Sequence, residues 1–162
     1  EHTYWSSYLA AIKLREGVID FLDQLARINI TKVLITDLTA QIQFRKLVYM
    51  ELDRRFDYVV TSEESGQDKP NRASFTMAMN KLLSARGSTN IETQGKEVWM
   101  LGDNVTSDLE GAKTAINATT LALKSEIRNH AANGSIDMIF DSFTDLEKFV
   151  REKNWDDRGK IS

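Results

Sequence analysis

The chain has 162 residues, of which 41% are hydrophobic and 28% charged, a composition typical of a folded domain with a sizeable core. Its net charge of −3 gives no electrostatic basis for binding nucleic acid or an anionic membrane, and no apolar run approaches the roughly 20 residues that span a bilayer. The absence of cysteine excludes disulfides and thiolate chemistry. We therefore expect a cytoplasmic protein with neither nucleic-acid nor membrane partners.

Strands and helices alternate along the sequence. Short β-branched and apolar runs predict buried strands, and apolar residues spaced by three or four positions predict amphipathic helices. The predicted elements are helices over residues 4–12 and 18–28, a strand over 31–37, a helix over 42–52, a strand over 56–61, a helix over 71–83, a strand over 98–102, a helix over 106–116, strands over 118–123 and 137–141, and a helix over 143–150. This alternation predicts a layered α/β domain with a parallel sheet and helices on both faces.

The segments between these elements are polar. In the predicted loop over residues 62–70, Glu63 and Glu64 are expected to be solvated, and Asn71 is expected to cap the helix that follows Pro70. Residues 85–96 are rich in Gly, Ser, Thr and Asn and predict a loop. The charged residues 151–162 predict a polar tail.

Two carboxylates follow the strand over residues 98–102. Gly102 ends the strand, Asp103 follows at once, and Asp108 lies at the start of the next helix. In an open α/β sheet, ligands bind at the carboxyl ends of the strands, where both acids would lie. Carboxylate oxygens are the ligands that Mg²⁺ prefers, so the pair predicts a magnesium site.

A hydroxyl and a cation follow two other strands. Thr36 ends the strand over residues 31–37, and Lys69 follows the strand over 56–61 through a glycine-containing loop. In a parallel sheet these strand ends lie on the same edge as Asp103. A hydroxyl donor, an ammonium and a carboxylate pair are together the groups needed to hold a phosphoryl group.

These residues and their order resemble the haloacid dehalogenase (HAD)-like hydrolase superfamily over residues 15–150. Three of the four family motifs match: Thr36 in VLITD, Lys69 in SEESGQDKP, and Asp103 with Asp108 in GDNVTSD. The resemblance implies a three-layer Rossmann-like core. It also implies that Thr36 and the backbone beside Asp37 bind phosphoryl oxygens, that Lys69 neutralises the nucleophile and phosphate, and that Asp103 and Asp108 hold Mg²⁺.

The fourth family motif has no match. Enzymes of this superfamily begin with a strand ending in Asp-x-Asp, which supplies the nucleophile and the general acid/base, and no Asp-x-Asp occurs in the 162 residues. The nearest substitute, residues 139–145, has Phe143 where the second carboxylate belongs and coincides with the family's last strand and helix. In the family the absent strand lies between the strands that carry Thr36 and Asp103, so their edges are expected to be unpaired.

Three explanations of this departure remain open: upstream sequence has been removed, a second chain supplies the strand, or the sheet closes differently. We favour removal because residues 1–14 resemble the last helix of a cap. We accordingly divide the chain into a cap or linker remnant (1–14), the core (15–150) and the polar tail (151–162).

The resemblance implies an Mg²⁺-dependent phosphatase acting on a small phosphorylated metabolite, and inactive as this chain alone. A phosphomutase of the same superfamily and a non-catalytic interaction module are the alternatives. Asp108 argues against a dehalogenase, which needs no metal, and a receiver-like domain is a weaker match. Self-association through the unpaired strand edges is a further expectation.

Overall fold

The computed structural model describes residues 11–37, 39–85, 98–127 and 134–153. Most of the helix predicted over 4–12, both histidines, and nearly all of the 85–96 loop and the 151–162 tail lie outside these ranges. The helices are α1 Val18–Arg27, α2 Ala40–Tyr49, α3 Ser62–Ser65, α4 Arg72–Ala85, α5 Gly111–Ile116 and α6 Phe143–Glu152. The strands are β1 Val33–Thr36, β2 Tyr58–Thr61, β3 Trp99–Leu101, β4 Thr119–Leu123 and β5 Met138–Phe140.

All strand pairs in the described ranges are parallel, which confirms the α/β class. β1 pairs with β2 in one sheet, and β3, β4 and β5 form a second sheet in that order. The crossover from β1 to β2 contains α2 and that from β3 to β4 contains α5, whereas the described part of the connection from β4 to β5 contains only a 3-10 turn, Lys124–Glu126. Within the described residues, β1 has no hydrogen-bonded strand partner except β2, and β3 has none except β4. We call the boundary between β1 and β3 the seam.

Helices cover both faces of the sheets and join the two across the seam. On α1, Phe21 packs in a cluster with β4, β5 and α6, whereas the adjacent Leu22 packs in a cluster with β1, β2 and α2. On the opposite face, Phe75 of α4 is fully buried in a cluster that includes Ile35 of β1 and Met100 of β3. The helices therefore hold the two sheets side by side, although no pairing between strands of the described ranges connects them.

Burial along the strands agrees with the expected absence of a strand at the seam. Every residue of β1 and β3 is only half-buried, whereas four of the five residues of β4 are buried, as is Val60 of β2. Parallel strands inside a sheet are ordinarily covered on both faces and paired on both edges. The two strands that flank the seam lack part of that cover.

Local departures from the predicted elements have identifiable causes. The first residues of the predicted 62–70 loop form the short helix α3, because the Thr61 hydroxyl accepts a hydrogen bond from Glu64 N at 3.1 Å and caps it. The helix predicted from residue 106 begins as a π-helical turn, Val105–Glu110, capped by the Asn104 side chain. α6 extends to Glu152, slightly past the predicted end.

The predicted cap of α4 is confirmed. The Asn71 side-chain oxygen accepts a hydrogen bond from Ala73 N at 3.0 Å, immediately before the helix becomes regular. Among the helices in the described ranges, none is long and apolar enough to cross a membrane.

Candidate functional site

The candidate site lies where β1, β2 and β3 end. Thr36 and Thr61 occupy the same register position at the ends of the parallel strands β1 and β2, so the segments that follow them leave the sheet side by side. Gly102 follows β3 and carries the chain to Asp103. The three predicted motifs thus converge from three separate parts of the sequence.

Lys69 is at the centre of this convergence. Its ammonium nitrogen lies 2.9 Å from Asp108 Oδ1 and 3.6 Å from Asp37 Oδ2, and it donates a hydrogen bond to the Ile35 carbonyl at 3.4 Å. The Lys69 side chain is only 10% exposed. It therefore connects the end of β1 with the segment after β3, across the seam.

The Asp37 side chain also binds the backbone of Lys69. Asp37 Oδ1 accepts a hydrogen bond from Lys69 N at 2.9 Å, while Oδ2 faces the Lys69 ammonium. The sequence motif assigned a role only to the backbone beside Asp37. The side-chain role was missed because an aspartate after a strand gives no sequence signal that distinguishes it from a solvated one.

Asp108 is a buried carboxylate whose two oxygens are both hydrogen-bonded. Its side chain is 7% exposed, and Oδ2 accepts a hydrogen bond from Asn104 N at 3.2 Å. Oδ1 faces Lys69 and accepts a hydrogen bond from the Ser107 hydroxyl at 3.4 Å. Pairing with Lys69 and two further donors offset the cost of burying this charge.

Gly102 is needed for Asp108 to reach this position. A Cβ atom added at residue 102 would overlap Asp108 Cβ and lie 2.8 Å from Asp108 Oδ2, closer than such contacts occur. The glycine thus does more than end β3. It lets the π-helical turn fold back so that the Asp108 carboxylate lies directly against the strand end.

Thr36 and Asp103 are at the same edge but outside this contact network. Thr36 is half-buried and Asp103 is exposed. Within the described ranges, neither side chain forms a hydrogen bond or ion pair. The structure therefore brings Asp37 and Asp108 into contact with Lys69 and leaves Asp103 exposed to solvent.

Mg²⁺ prefers oxygen donors such as carboxylates, but few carboxylates lie at this edge of the sheet. In the described part of the chain, no three His, Cys, Asp or Glu residues cluster in a way that could hold a metal by themselves. Mg²⁺ usually takes only one or two carboxylates and completes its octahedron with waters and phosphate oxygens. Of the two carboxylates predicted as ligands, Asp103 is exposed and Asp108 is paired with Lys69.

A cavity of about 350 Å³ lies next to Asp37, between the segments that follow β1 and β2. Six of the eight residues that line it are polar or acidic. The lining residues are Asp37, Thr39, Ile42, Ser62, Glu63, Gly66, Gln67 and Asp68. The cavity gives the candidate site an open flank on the side away from the seam.

The segment 139–145 is remote from this site, as its sequence indicated. β5 pairs with β4 on the side away from β3, which separates it from the seam. Asp141 is exposed and pairs with Lys124 at 2.9 Å, an interaction that raises the pKa of Lys124, and Ser142 caps α6. These residues have structural partners and do not face Lys69.

Glu63 and Glu64 are solvent-exposed, as predicted, but each also has a tertiary partner that the sequence did not indicate. Glu63 Oε2 accepts a hydrogen bond from Ala40 N, the first residue of α2, at 2.9 Å. Glu64 forms an ion pair with Lys81 of α4 at 2.8 Å. Both residues are exposed, and their partners lie 23 and 17 positions away, so local sequence could not reveal them.

Comparison with known proteins places this geometry in context. The model of the haloacid dehalogenase-like hydrolase family matches residues 2–122. Ribulose-1,5-bisphosphate 5-phosphatase from Halopiger xanaduensis is 32% identical over 76% of this chain and 48% of its own length. Glyceraldehyde 3-phosphate phosphatase from Methanocaldococcus jannaschii is 25% identical over 92% of this chain and 61% of its own length.

Among solved structures, an HAD phosphatase from Thermococcus onnurineus superposes with a TM-score of 0.71 at 22% identity, covering 89% of this chain and 61% of that one. This likeness shows the fold. The chain spans between about half and three-fifths of the length of the two curated relatives described above.

Proposed function

The chain belongs to the haloacid dehalogenase-like hydrolase family, and on this premise we propose that it forms the phosphoryl-binding and Mg²⁺-binding part of a phosphate monoester phosphatase. The observation that carries the proposal is the contact of Lys69 with both Asp108 and the end of β1. A buried ammonium held at the carboxyl ends of three strands is suited to balance the charge of a phosphoryl group.

Each residue at this edge has a distinct task in the proposal. Thr36, through its hydroxyl, and the backbone beside Asp37 donate to phosphoryl oxygens. Lys69 neutralises negative charge on the phosphate and on the attacking carboxylate. The Asp37 carboxylate positions Lys69 by contacting both the backbone N–H and the ammonium of Lys69. A bound Mg²⁺, held by Asp103 and Asp108, would supply further charge stabilisation.

The proposal includes the inactivity of these 162 residues alone. An aspartyl nucleophile is required for the chemistry of the family, and the chain has no Asp-x-Asp. Among the described strands β1 pairs only with β2 and β3 only with β4, so we propose that a strand carrying that motif would pair between β1 and β3. We also propose that residues 1–14 belong to a cap or linker, 15–150 to the core and 151–162 to a polar tail, and that the protein is cytoplasmic.

A small phosphorylated metabolite is the proposed substrate class. Both curated relatives are named for small phosphorylated compounds, and the cavity beside Asp37 leaves room next to the phosphoryl site. A phosphomutase would share the same core residues. Assaying phosphoryl transfer to a sugar phosphate alongside release of inorganic phosphate separates the two activities.

Turnover of an aryl phosphate in the presence of Mg²⁺ tests the proposal. The purified 162-residue chain is expected to release no phosphate above buffer. Fusing an apolar strand that ends in Asp-x-Asp to the chain through a flexible linker is expected to produce activity. The matched control fusion carries Asn-x-Asn and is expected to remain inactive.

Two results would contradict this proposal. Activity of the unmodified chain that is abolished by Asp103→Asn would show that the nucleophile lies within the 162 residues. Alternatively, a folded fusion that is inactive and binds neither Mg²⁺ nor phosphate would favour a non-catalytic interaction module.

Among the described strands β1 pairs only with β2, and the other edge of β1 leads us to propose self-association of the chain. Strand edges with free N–H and C=O groups pair readily with those of another molecule. Sedimentation velocity is expected to show an average mass that rises with protein concentration, and the strand fusion is expected to suppress that rise. A concentration-independent monomer would contradict it.

A further inference from the structure

The end of β1 and the segment after β2 are joined by a reciprocal pair of hydrogen bonds. Glu63, which follows β2, accepts from Ala40 N at 2.9 Å, and Asp37, which follows β1, accepts from Lys69 N at 2.9 Å. Each side thus supplies one carboxylate and one backbone N–H. We call these two bonds the loop clasp.

Glu63 takes a place on α2 that no local residue fills. The N-terminal cap position of α2 is Thr39, whose side chain makes no capping hydrogen bond, and the first turn of the helix has no acidic residue. The partial positive charge of a helix N-terminus favours a carboxylate. A carboxylate from a separate segment therefore provides both the missing acceptor and the missing charge.

The loop clasp includes Lys69, since one of its two hydrogen bonds is donated by Lys69 N. Asp37 holds the Lys69 backbone and faces its ammonium, and Asp37 itself lies between β1 and the α2 terminus that Glu63 binds. Ala40 lies only three residues after Asp37, so fixing Ala40 limits how far Asp37 can move. Fixing Asp37 in turn restricts Lys69, whose ammonium must remain between Asp108 and the Ile35 carbonyl.

We propose that Glu63 is a positioning residue for Lys69, acting through Ala40 and Asp37. The catalytic meaning of this position rests on the function proposed above, but the coupling itself is a property of the free chain. It links a side chain at the cavity wall to the ammonium at the seam without direct contact between them.

Nuclear magnetic resonance of the free 162-residue chain tests the coupling without substrate or metal. Three variants are compared with the parent: Glu63→Ala, Glu63→Gln and the control Glu64→Ala. Glu64 is the adjacent residue with the same charge, but it pairs with Lys81. Amide hydrogen exchange is measured at Ala40 and Lys69, and the side-chain ¹³Cε signal is followed for Lys69.

In Glu63→Ala, exchange at the Ala40 amide is expected to rise by roughly tenfold to a hundredfold, because this amide loses a charge-assisted hydrogen bond. Exchange at the Lys69 amide, which keeps its bond to Asp37, is expected to rise by a smaller factor, and the Lys69 ¹³Cε signal is expected to shift. Glu63→Gln retains an acceptor oxygen and is expected to restore the parent signal at Lys69. Glu64→Ala is expected to leave both amides and the Lys69 signal unchanged.

The proposal is overturned if Glu63→Ala changes Ala40 alone, because Glu63 would then be only a cap for α2. An equal effect of Glu64→Ala at Lys69 would also overturn it. If Glu63→Ala does not fold, the variants Glu63→Gln and Glu63→Asp decide instead. A parent-like Lys69 signal in Glu63→Gln together with a shifted Lys69 signal in Glu63→Asp, whose side chain is one methylene shorter, supports the coupling. Any other pair of results overturns it. None of these measurements uses phosphate or turnover. The coupling can therefore be confirmed or refuted whether or not the phosphatase proposal fails.

Discussion

Replacing Lys69 by methionine is expected to destabilise the protein strongly. The substitution preserves an unbranched side chain but leaves the Asp108 carboxylate, 7% exposed, without its counter-ion. Removing one partner of a buried ion pair costs about 3–5 kcal/mol. Because Asp108 keeps the Asn104 N–H and Ser107 hydroxyl donors, we expect the lower end, about 3 kcal/mol.

Urea denaturation measures this loss, and the chain contains a matched control. Lys124 and Asp141 are also 2.9 Å apart, but their side chains are 72% and 71% exposed. Lys124→Met is therefore expected to leave the free energy of unfolding near that of the parent. Adding Asp108→Asn to Lys69→Met is expected to recover part of the loss, because a neutral amide replaces the unpaired charge.

Equal effects of Lys69→Met and Lys124→Met on the free energy of unfolding would refute the reasoning. They would mean that the Lys69–Asp108 pair is solvated and that its ammonium is not held between β1 and β3. A double variant as unstable as the sum of its single variants would likewise show that the two charges do not interact.

Three further changes test other parts of the structure. Gly102→Ala is expected to lower the free energy of unfolding by roughly 1–3 kcal/mol in urea denaturation, because its Cβ would collide with Asp108; parent-like stability would contradict this. A hydrogen bond from Lys113, with bonds from Thr120, lowers the pKa of Asp137, so its stabilisation is complete above the unfolded value of about 3.9 and is lost as pH falls through the lower folded pKa. Asp137→Asn is therefore expected to make the melting temperature fall less steeply as the pH is lowered. The stabilisation involved is limited to about 1 kcal/mol because the Asp137 side chain is 39% exposed. An unchanged slope of melting temperature against pH would contradict this prediction. Phe75→Ala is expected to lower the free energy of unfolding by about 3–5 kcal/mol in urea denaturation, whereas a loss below 1 kcal/mol would show that packing across the seam is loose.

The layered α/β fold was predictable because its signals are local and repeated. The β-branched run that forms β1 and the apolar spacing of α1 each report their own secondary structure without reference to the rest of the chain. The Asn71 cap was predictable for the same reason, since its partner lies only two positions away.

The contacts of the site were predictable only in part. Lys69 and Asp108 were placed together because parallel strands bring their carboxyl ends to one edge, and their family motifs indicated which residues to examine. The hydrogen bond from Lys69 N to Asp37 and that from Ala40 N to Glu63 depend on how two loops pack against each other. No periodicity or spacing encodes that packing, so sequence analysis treated Glu63 as solvated.

Titration of the 162-residue chain with Mg²⁺, followed by calorimetry and by the amide signals of residues 102–108, tests the central claim most directly. We expect weak, saturable binding that is lost in Asp103→Ala, because Asp103 is the exposed member of the two proposed carboxylate ligands. Mg²⁺ that binds equally well to the parent and to Asp103→Ala, or that leaves the signals of residues 102–108 unchanged, would contradict the account.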